Sequence, residues 1–225
     1  MKKLSAIIIA VLILTVSVIY IVATETSVDA SSRVELQDKK SEKESCCSSD
    51  MEEVSMSDLT ENSLYQLNSE WTNQFGNKIN LTELKEKKQI VTMIFANCTY
   101  ACPILVNDMR RIEERLSKEE LRNVRFTLFT IDPERDTPEK LKEFAQNQNL
   151  NLSRWQLLTS SKSDIADLAA LLGFRYKKEN DGSYSHSNII SILNEDGELI
   201  HQQAGLSQEI EKTLNVIRNQ NKQGV

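Results

Sequence analysis

The chain has 225 residues, which is room for one folded domain plus appendages. A hydrophobic content of 40% with 27% charged residues is ordinary for a globular protein, and a net charge of −6 without a basic stripe argues against a nucleic-acid partner. Four cysteines are too few for a disulfide scaffold at this size; they fall into two pairs, Cys46-Cys47 and Cys98 with Cys102.

Met1-Lys2-Lys3 is a short positive start, and Leu4 through Ala23 carries no charge. A helix over that run would be about 30 Å long, enough to cross a bilayer. The apolar core of a cleaved signal peptide is usually shorter, about 7–15 residues. An uncleaved anchor over 1–23 is therefore expected ahead of a signal peptide. The lysine pair would stay in the cytoplasm and the rest of the chain would be exported. From Thr24 to Thr60 the apolar pattern is lost to Ser, Glu, Asp and Lys, which predicts a flexible tether over 24–60. Cys46-Cys47 lie inside it. They could be incidental, bridge two chains or capture a metal ion.

The folded domain is expected over 61–221. Ser63–Leu67 alternates as a strand, and Glu70–Asn73 and Lys78–Asn80 flank a Gly-containing turn as a hairpin. Leu81–Leu84 fits one helical turn. Ile90–Ile94 is an apolar run of buried-strand type, and Leu105, Met109, Ile112 and Leu116 mark one face of a helix. Val124–Ile131 is a second long strand. Asp136 or Thr137 could cap the next helix, with Pro138 in its first turn and Leu141, Phe144 and Ala145 inward. Trp155–Leu158 is a short strand. Ser161 or Ser163 caps a helix whose inner face is Ile165, Leu168, Ala169 and Leu172 and which Gly173 ends. Asn188–Leu193, the Asn194–Gly197 turn and Glu198–Gln202 form a closing hairpin. Ser207 would cap a last helix with Ile210, Leu214 and Ile217 inward. Strand–helix–strand units require parallel neighbours, and the hairpin adds antiparallel strands. The fold class is α/β: a thioredoxin-like mixed sheet flanked by helices, with an N-terminal β-hairpin extension.

The chemistry concentrates at Phe95-Ala96-Asn97-Cys98-Thr99-Tyr100-Ala101-Cys102-Pro103, where a strand ends and a helix begins. A thiol there feels the partial positive charge of the helix N-terminus, which favours the thiolate that attacks disulfides and binds soft metals. Two structural thiols or a plain disulfide would be the bland alternative. In open α/β sheets, ligands bind beyond the carboxyl ends of the parallel strands, where this loop and Asp132 both lie. The segment Asp181–Ser187 leads into the strand expected beside the cysteine strand and could bring His186 over the loop. Two thiolates and an imidazole suit copper(I), can hold copper(II), and do not by ligand type exclude zinc. His201 has no such support and reads as a sheet-surface residue.

Cys98-Thr-Tyr-Ala-Cys102-Pro103, Asp132-Pro-Glu-Arg-Asp-Thr-Pro138, and Ser185-His186 ahead of the strand Asn188–Leu193 together resemble the Sco (SenC) family over residues 61–218. That family consists of membrane-tethered, copper-binding proteins that help assemble cytochrome c oxidase. The resemblance implies copper on Cys98, Cys102 and His186, a site shaped by the Asp132 loop, and an oxidase copper-site subunit or another copper protein as partner. It also implies a single-pass position in the inner (cytoplasmic) membrane, with the domain in the periplasm or an equivalent extracytoplasmic space. Ser185 stands where the family often has Asp, and Cys46-Cys47 fall outside the shared domain. The expected function is a copper chaperone. The rival is a thiol-disulfide reductase using Cys98 and Cys102 as a redox pair to keep an oxidase subunit's copper-ligand cysteines reduced. The CxxxC spacing disfavours a general thioredoxin, no peroxidatic cysteine motif is visible, and a binding module without chemistry would leave both thiols and His186 without a joint purpose.

Overall fold

A computed structural model describes residues 62–219. The expected membrane segment over 1–23 and the tether with Cys46-Cys47 lie outside the described residues. The strands are β1 Glu70–Asn73, β2 Lys78–Asn80, β3 Lys88–Ile94, β4 Val124–Thr130, β5 Trp155–Thr159, β6 Tyr176–Lys178, β7 Tyr184–His186, β8 Ile189–Leu193 and β9 Leu199–Ala204. The helices are α1 Ala101–Arg115, α2 Pro138–Asn147, α3 Lys162–Leu171 and α4 Glu211–Asn219.

Seven strands form one mixed sheet in the order β2-β1-β5-β4-β3-β8-β9. β3, β4 and β5 run parallel, joined through α1 and α2. The N-terminal hairpin extends one side through the antiparallel β1–β5 pair, and the closing hairpin extends the other through β3–β8. This is the thioredoxin-like arrangement expected from the sequence. Every residue of β3 and β5 is buried, as parallel strands covered on both faces require. Helix α1 presents Leu105, Val106, Met109 and Ile112 to the core, and each fully buried apolar side chain contributes roughly 1.5–3 kcal/mol. Buried Asp108 fixes α1 to the segment between β9 and α4: it pairs with Arg111 of its own helix at 3.1 Å and accepts the Ser207 amide at 2.7 Å.

The caps follow local chemistry. Thr137 accepts from the Lys140 amide ahead of Pro138, and Ser161 accepts from the Asp164 amide. Asp136, the alternative cap, turns inward instead.

Three expectations are corrected. Ser63–Leu67 is not a strand. Ser63 accepts the Tyr65 amide at 3.1 Å and opens a single helical turn, Leu64–Gln66, in which adjacent Leu64 and Tyr65 are both buried. Only Ser63 bridges to the sheet, opposite Glu198. Ser207 does not cap the last helix, because its backbone is left-handed (φ 54°) with its amide held by Asp108; α4 begins four residues later. His201 lies on the sheet but under a helix: its Nε2 is 3.1 Å from Thr213 Oγ1 of α4 and it is half-buried. The β6–β7 hairpin, with Tyr176 opposite His186 and Lys178 opposite Tyr184, was not foreseen as strands.

Gly197 ties the two ends of the domain together. Its carbonyl accepts the Leu64 amide at 2.9 Å, its φ is +77°, and a Cβ there would lie 2.8 Å from the Tyr65 ring. Gly197→Ala should therefore lower stability by about 1–3 kcal/mol, from left-handed strain and displacement of Tyr65. Chemical denaturation followed by Trp71 and Trp155 fluorescence would measure it; an unchanged midpoint would refute the account.

Candidate metal centre

Level register of β3 and β4 builds the site. Ile94 lies opposite Thr130, and the Ile131 amide donates to the Ile94 carbonyl at 2.8 Å. The two strands therefore stop together, and the cysteine loop and the Asp132 loop leave the sheet side by side. Asp136, 1% exposed, joins them: it accepts the Ala96 amide at 3.0 Å and the Thr130 hydroxyl. Burial raises the pKa of Asp136, against the opposing pull of those two donors.

The loop closes with the Cys98 amide donating to the Phe95 carbonyl at 3.0 Å. Helix α1 follows with Tyr100 at its cap position, and Tyr100 supplies no side-chain cap. The first amides of a helix need acceptors from outside it. The Cys102 amide finds one in Cys98 Sγ at 3.3 Å, so the sulfur itself caps the helix. Pro103 sits where the missing amide hydrogen would have no helical partner. Cys102 is buried, whereas Cys98 is half-exposed and Tyr100 beside it is 73% exposed.

His186 reaches the thiols from the end of β7. Its Nε2 is 3.9 Å from Cys102 Sγ, and the donor atoms of Cys98, Cys102 and His186 all lie within 4.8 Å of one another. Nδ1 lies 2.9 Å from the Ser187 carbonyl, which places a proton on Nδ1, so that in the neutral ring the Nε2 lone pair faces the sulfurs. Phe174 stacks on the imidazole at 5.9 Å and Phe95 meets it edge-on at 5.8 Å.

The hairpin that carries His186 is itself held from the Asp132 loop. Fully buried Asp132 pairs with Arg135, and Arg135 Nη2 donates to the Gly182 carbonyl at 2.6 Å in the hairpin turn. Tyr184 donates its hydroxyl to Asp132 at 3.3 Å. Gly182 has φ +80°, the left-handed conformation the turn requires.

The two thiols are electrostatically unlike. The Cys98 pKa is lowered to about 3: the Cys102 thiol donates to it, burial opposes, and His186 with the Cys102 and Tyr100 amides adds to the lowering. The Cys102 pKa is raised, because its proton is shared with Cys98 and because it is buried. For His186, burial disfavours the charged ring, but contact with Cys98 and the Ser187 carbonyl outweighs it and raises the pKa. The shared proton thus favours negative charge on Cys98 and the thiol form on Cys102. The site mouth is open on both sides. A cleft of about 210 Å3 runs past Cys98, Lys140 and Phe144, and one of about 370 Å3 past His186, Arg175 and Tyr176.

Cys98, Cys102 and His186, all singled out in the sequence, are thus brought together. Asp136, Arg135, Tyr184 and Phe174 were not singled out for these contacts. Asp136 carried a signal as a rival helix cap and, with Arg135, as part of the Asp132–Pro138 motif; Phe174 had none beyond its place after Gly173.

The SCO1/SenC family description matches residues 57–221. The chain belongs to the SCO1/SenC family. It is 32% identical over 138 residues to the SCO1 protein homolog of Bacillus subtilis (strain 168), covering 60% of this chain and 70% of that protein. Among solved structures it is similar to BsSco, described as a member of the Sco family of cytochrome c oxidase assembly proteins with a disulfide switch. That match has 27% identity and a TM-score of 0.59, over 68% of this chain and 91% of that one. Copper-bound yeast Sco1 shares the fold, with 20% identity and a TM-score of 0.58 over 70% of this chain and 88% of that one.

The thiolate assignment has a direct consequence. Alkylation of Cys98 by iodoacetamide should proceed at a nearly constant rate from about pH 5 to 8, where an ordinary thiol would speed up about tenfold per unit. Mass-spectrometric rate measurements would check it. A tenfold rise per unit would mean that Cys98 is a normal thiol. Arg135→Ala should free the His186 hairpin, so that amides 176–186 exchange faster while those of β3–β5 hold their protection; uniform exchange would deny the latch.

Proposed function

We propose that this Sco-family chain binds one copper ion through Cys98, Cys102 and His186 and passes it to the copper-site subunit of a cytochrome c oxidase or to another copper protein. The observation that carries this reading is the convergence of two sulfurs and one oriented imidazole nitrogen within 4.8 Å. Soft sulfur favours copper(I), and the nitrogen gives copper(II) a partner it accepts well. Binding would displace the remaining thiol proton of Cys102 and require a neutral His186 ring. Half-exposure of Cys98 beside an open mouth leaves room for an incoming ligand of the acceptor, so transfer by stepwise ligand exchange needs no opening of the sheet. The copper-bound yeast relative and the oxidase-assembly description of BsSco support the same reading.

A thiol-disulfide reductase role is the second reading. It is favoured by the thiolate character of Cys98 next to a buried Cys102 thiol. Cys98 would attack a target disulfide, and Cys102 would then displace the target thiol, leaving a Cys98–Cys102 disulfide for an external dithiol to reduce. The disulfide switch described for BsSco supports such chemistry.

Variants separate the two. Cys98→Ser or Cys102→Ser should abolish tight copper(I) binding. His186→Ala should weaken it and remove most of the copper(II) spectrum while leaving the dithiol able to oxidise. If His186→Ala loses oxidase assembly yet reduces a disulfide substrate normally, copper handling is the function. If it supports assembly fully while the cysteine variants do not, the reductase reading wins. Both cysteine pairs need separating, so Cys46→Ser and Cys47→Ser belong in the background; copper binding that survives loss of Cys98 and Cys102 there would sink the site.

The uncharged run Leu4–Ala23 supports a single inner-membrane span, followed by a tether over 24–60 and the domain over 61–221 outside the cytoplasm. An exported-only reporter fused at Asp58 should be active and a cytoplasmic-only reporter silent; the reverse pattern would overturn this topology.

A further inference from the structure

The sheet end opposite the metal centre carries a second concentration of chemistry. Lys87 precedes β3, Arg122 and Arg125 flank the start of β4, and Arg154 precedes β5. With Lys118, these five cationic side chains line one cleft of about 300 Å3. Among the described residues no acidic side chain lines it, and Leu121 and Val124 supply its apolar wall. This happens in a chain whose net charge is −6.

The parallel register explains the convergence. Lys88 lies opposite Val124 and Phe126 opposite Trp155, so the three parallel strands start close together and the residues just before them meet. Among the described residues only Arg154 of the five has an ion pair, with Glu113 at 2.7 Å. Glu113 also accepts the Trp155 indole at 2.8 Å, so one carboxylate serves both donors. Arg125 donates to the neutral Gln156 at 3.2 Å. Nearby Glu120 is already engaged by the Ser117 amide and by Arg218. Four of the five cations thus lack an ion-pair partner among the described residues; like charges gathered this way repel one another, and an anion with several oxygens relieves that repulsion.

We propose that this cleft is a binding site for a phosphate-bearing anion. Two arginines offer forked donors, two lysines offer point charges, and a phosphate group presents oxygens in the directions both need. The phosphate could be the headgroup of an anionic lipid or free phosphate. The seven residues of β3 separate the cleft from the cysteine loop by roughly 20 Å at the usual strand rise. A cleft seated on lipid headgroups would therefore turn Cys98, Cys102 and His186 away from the bilayer surface. The proposal stands independently of what the metal centre binds.

The test uses the full 15N-labelled chain in neutral detergent, titrated separately with inorganic phosphate and with short-chain phosphatidylglycerol. Saturable shifts are expected at the amides of 87, 118–125 and 153–154. Lys118→Glu/Arg122→Glu should weaken binding by about tenfold or more, and both residues are exposed, so folding should survive. Lys142→Glu/Lys177→Glu, the same change of charge outside the cleft, should alter it by less than about twofold. Tighter binding of the phosphodiester assigns the site to lipid; tighter binding of inorganic phosphate assigns it to the free ion. Cys98→Ser/Cys102→Ser should bind as the parent does, which separates this result from any failure of the copper reading. Absence of saturable shifts with both anions, or equal weakening by the control pair, would overturn the proposal.

Discussion

The pairing of β3 with β4 in level register is the constraint on which everything else rests. It is a backbone arrangement, closed by the Ile131 amide on the Ile94 carbonyl. Both strands are buried almost throughout, so slipping the register by one residue would turn each strand's packed side chains to the opposite face. Because the strands end together, two loops that are far apart in sequence emerge as neighbours. Because they also begin together, the cationic residues at and just before their starts converge at the other end. One register thus creates both concentrations of chemistry in the domain.

Buried carboxylates turn this adjacency into fixed geometry. Asp136 reaches back to the Ala96 amide and sets where the cysteine loop starts. Asp132, through Arg135 and Tyr184, reaches across to the β6–β7 hairpin and sets where His186 stands. Such polar groups would be costly in a core without partners, but each here is hydrogen-bonded or ion-paired. Aromatic walls from Phe95 and Phe174 then limit rotation of the imidazole. The three donor atoms are consequently gathered before any ion is present, which reduces the reorganisation that binding would require.

The helix terminus adds the electrostatics. Cys98 Sγ takes the position that a capping oxygen fills elsewhere, and the dipole and amides of α1 favour its negative charge. Cys102, in the first turn of α1 and buried, has its pKa raised, which favours the thiol. This asymmetry serves either proposed chemistry, since a thiolate begins both metal capture and disulfide attack. The hairpin-borne imidazole is what tilts the arrangement toward metal handling.

Much of this was legible from residue order. Apolar periodicity marked β3, β4 and all four helices, Thr137 and Ser161 were available as caps, and the thiols at a strand–helix junction announced their own chemistry. These features are local, set by contacts within a few residues, so sequence alone determines them. The errors arose where a distant partner overrode local preference. Ser63 became a turn opener against the closing hairpin, Ser207 was pulled from a capping role by Asp108, and Asp136 turned from the helix to Ala96. The β6–β7 strands are three residues each, too short for alternation to register, and Arg135 holds them from another loop. Sequence thus supplied the candidate ligands, a thioredoxin-like sheet and family membership. Their distances, the tautomer of His186, the unequal thiols and the basic cleft were decided only by tertiary structure, because each depends on which strand ends lie together in the folded sheet.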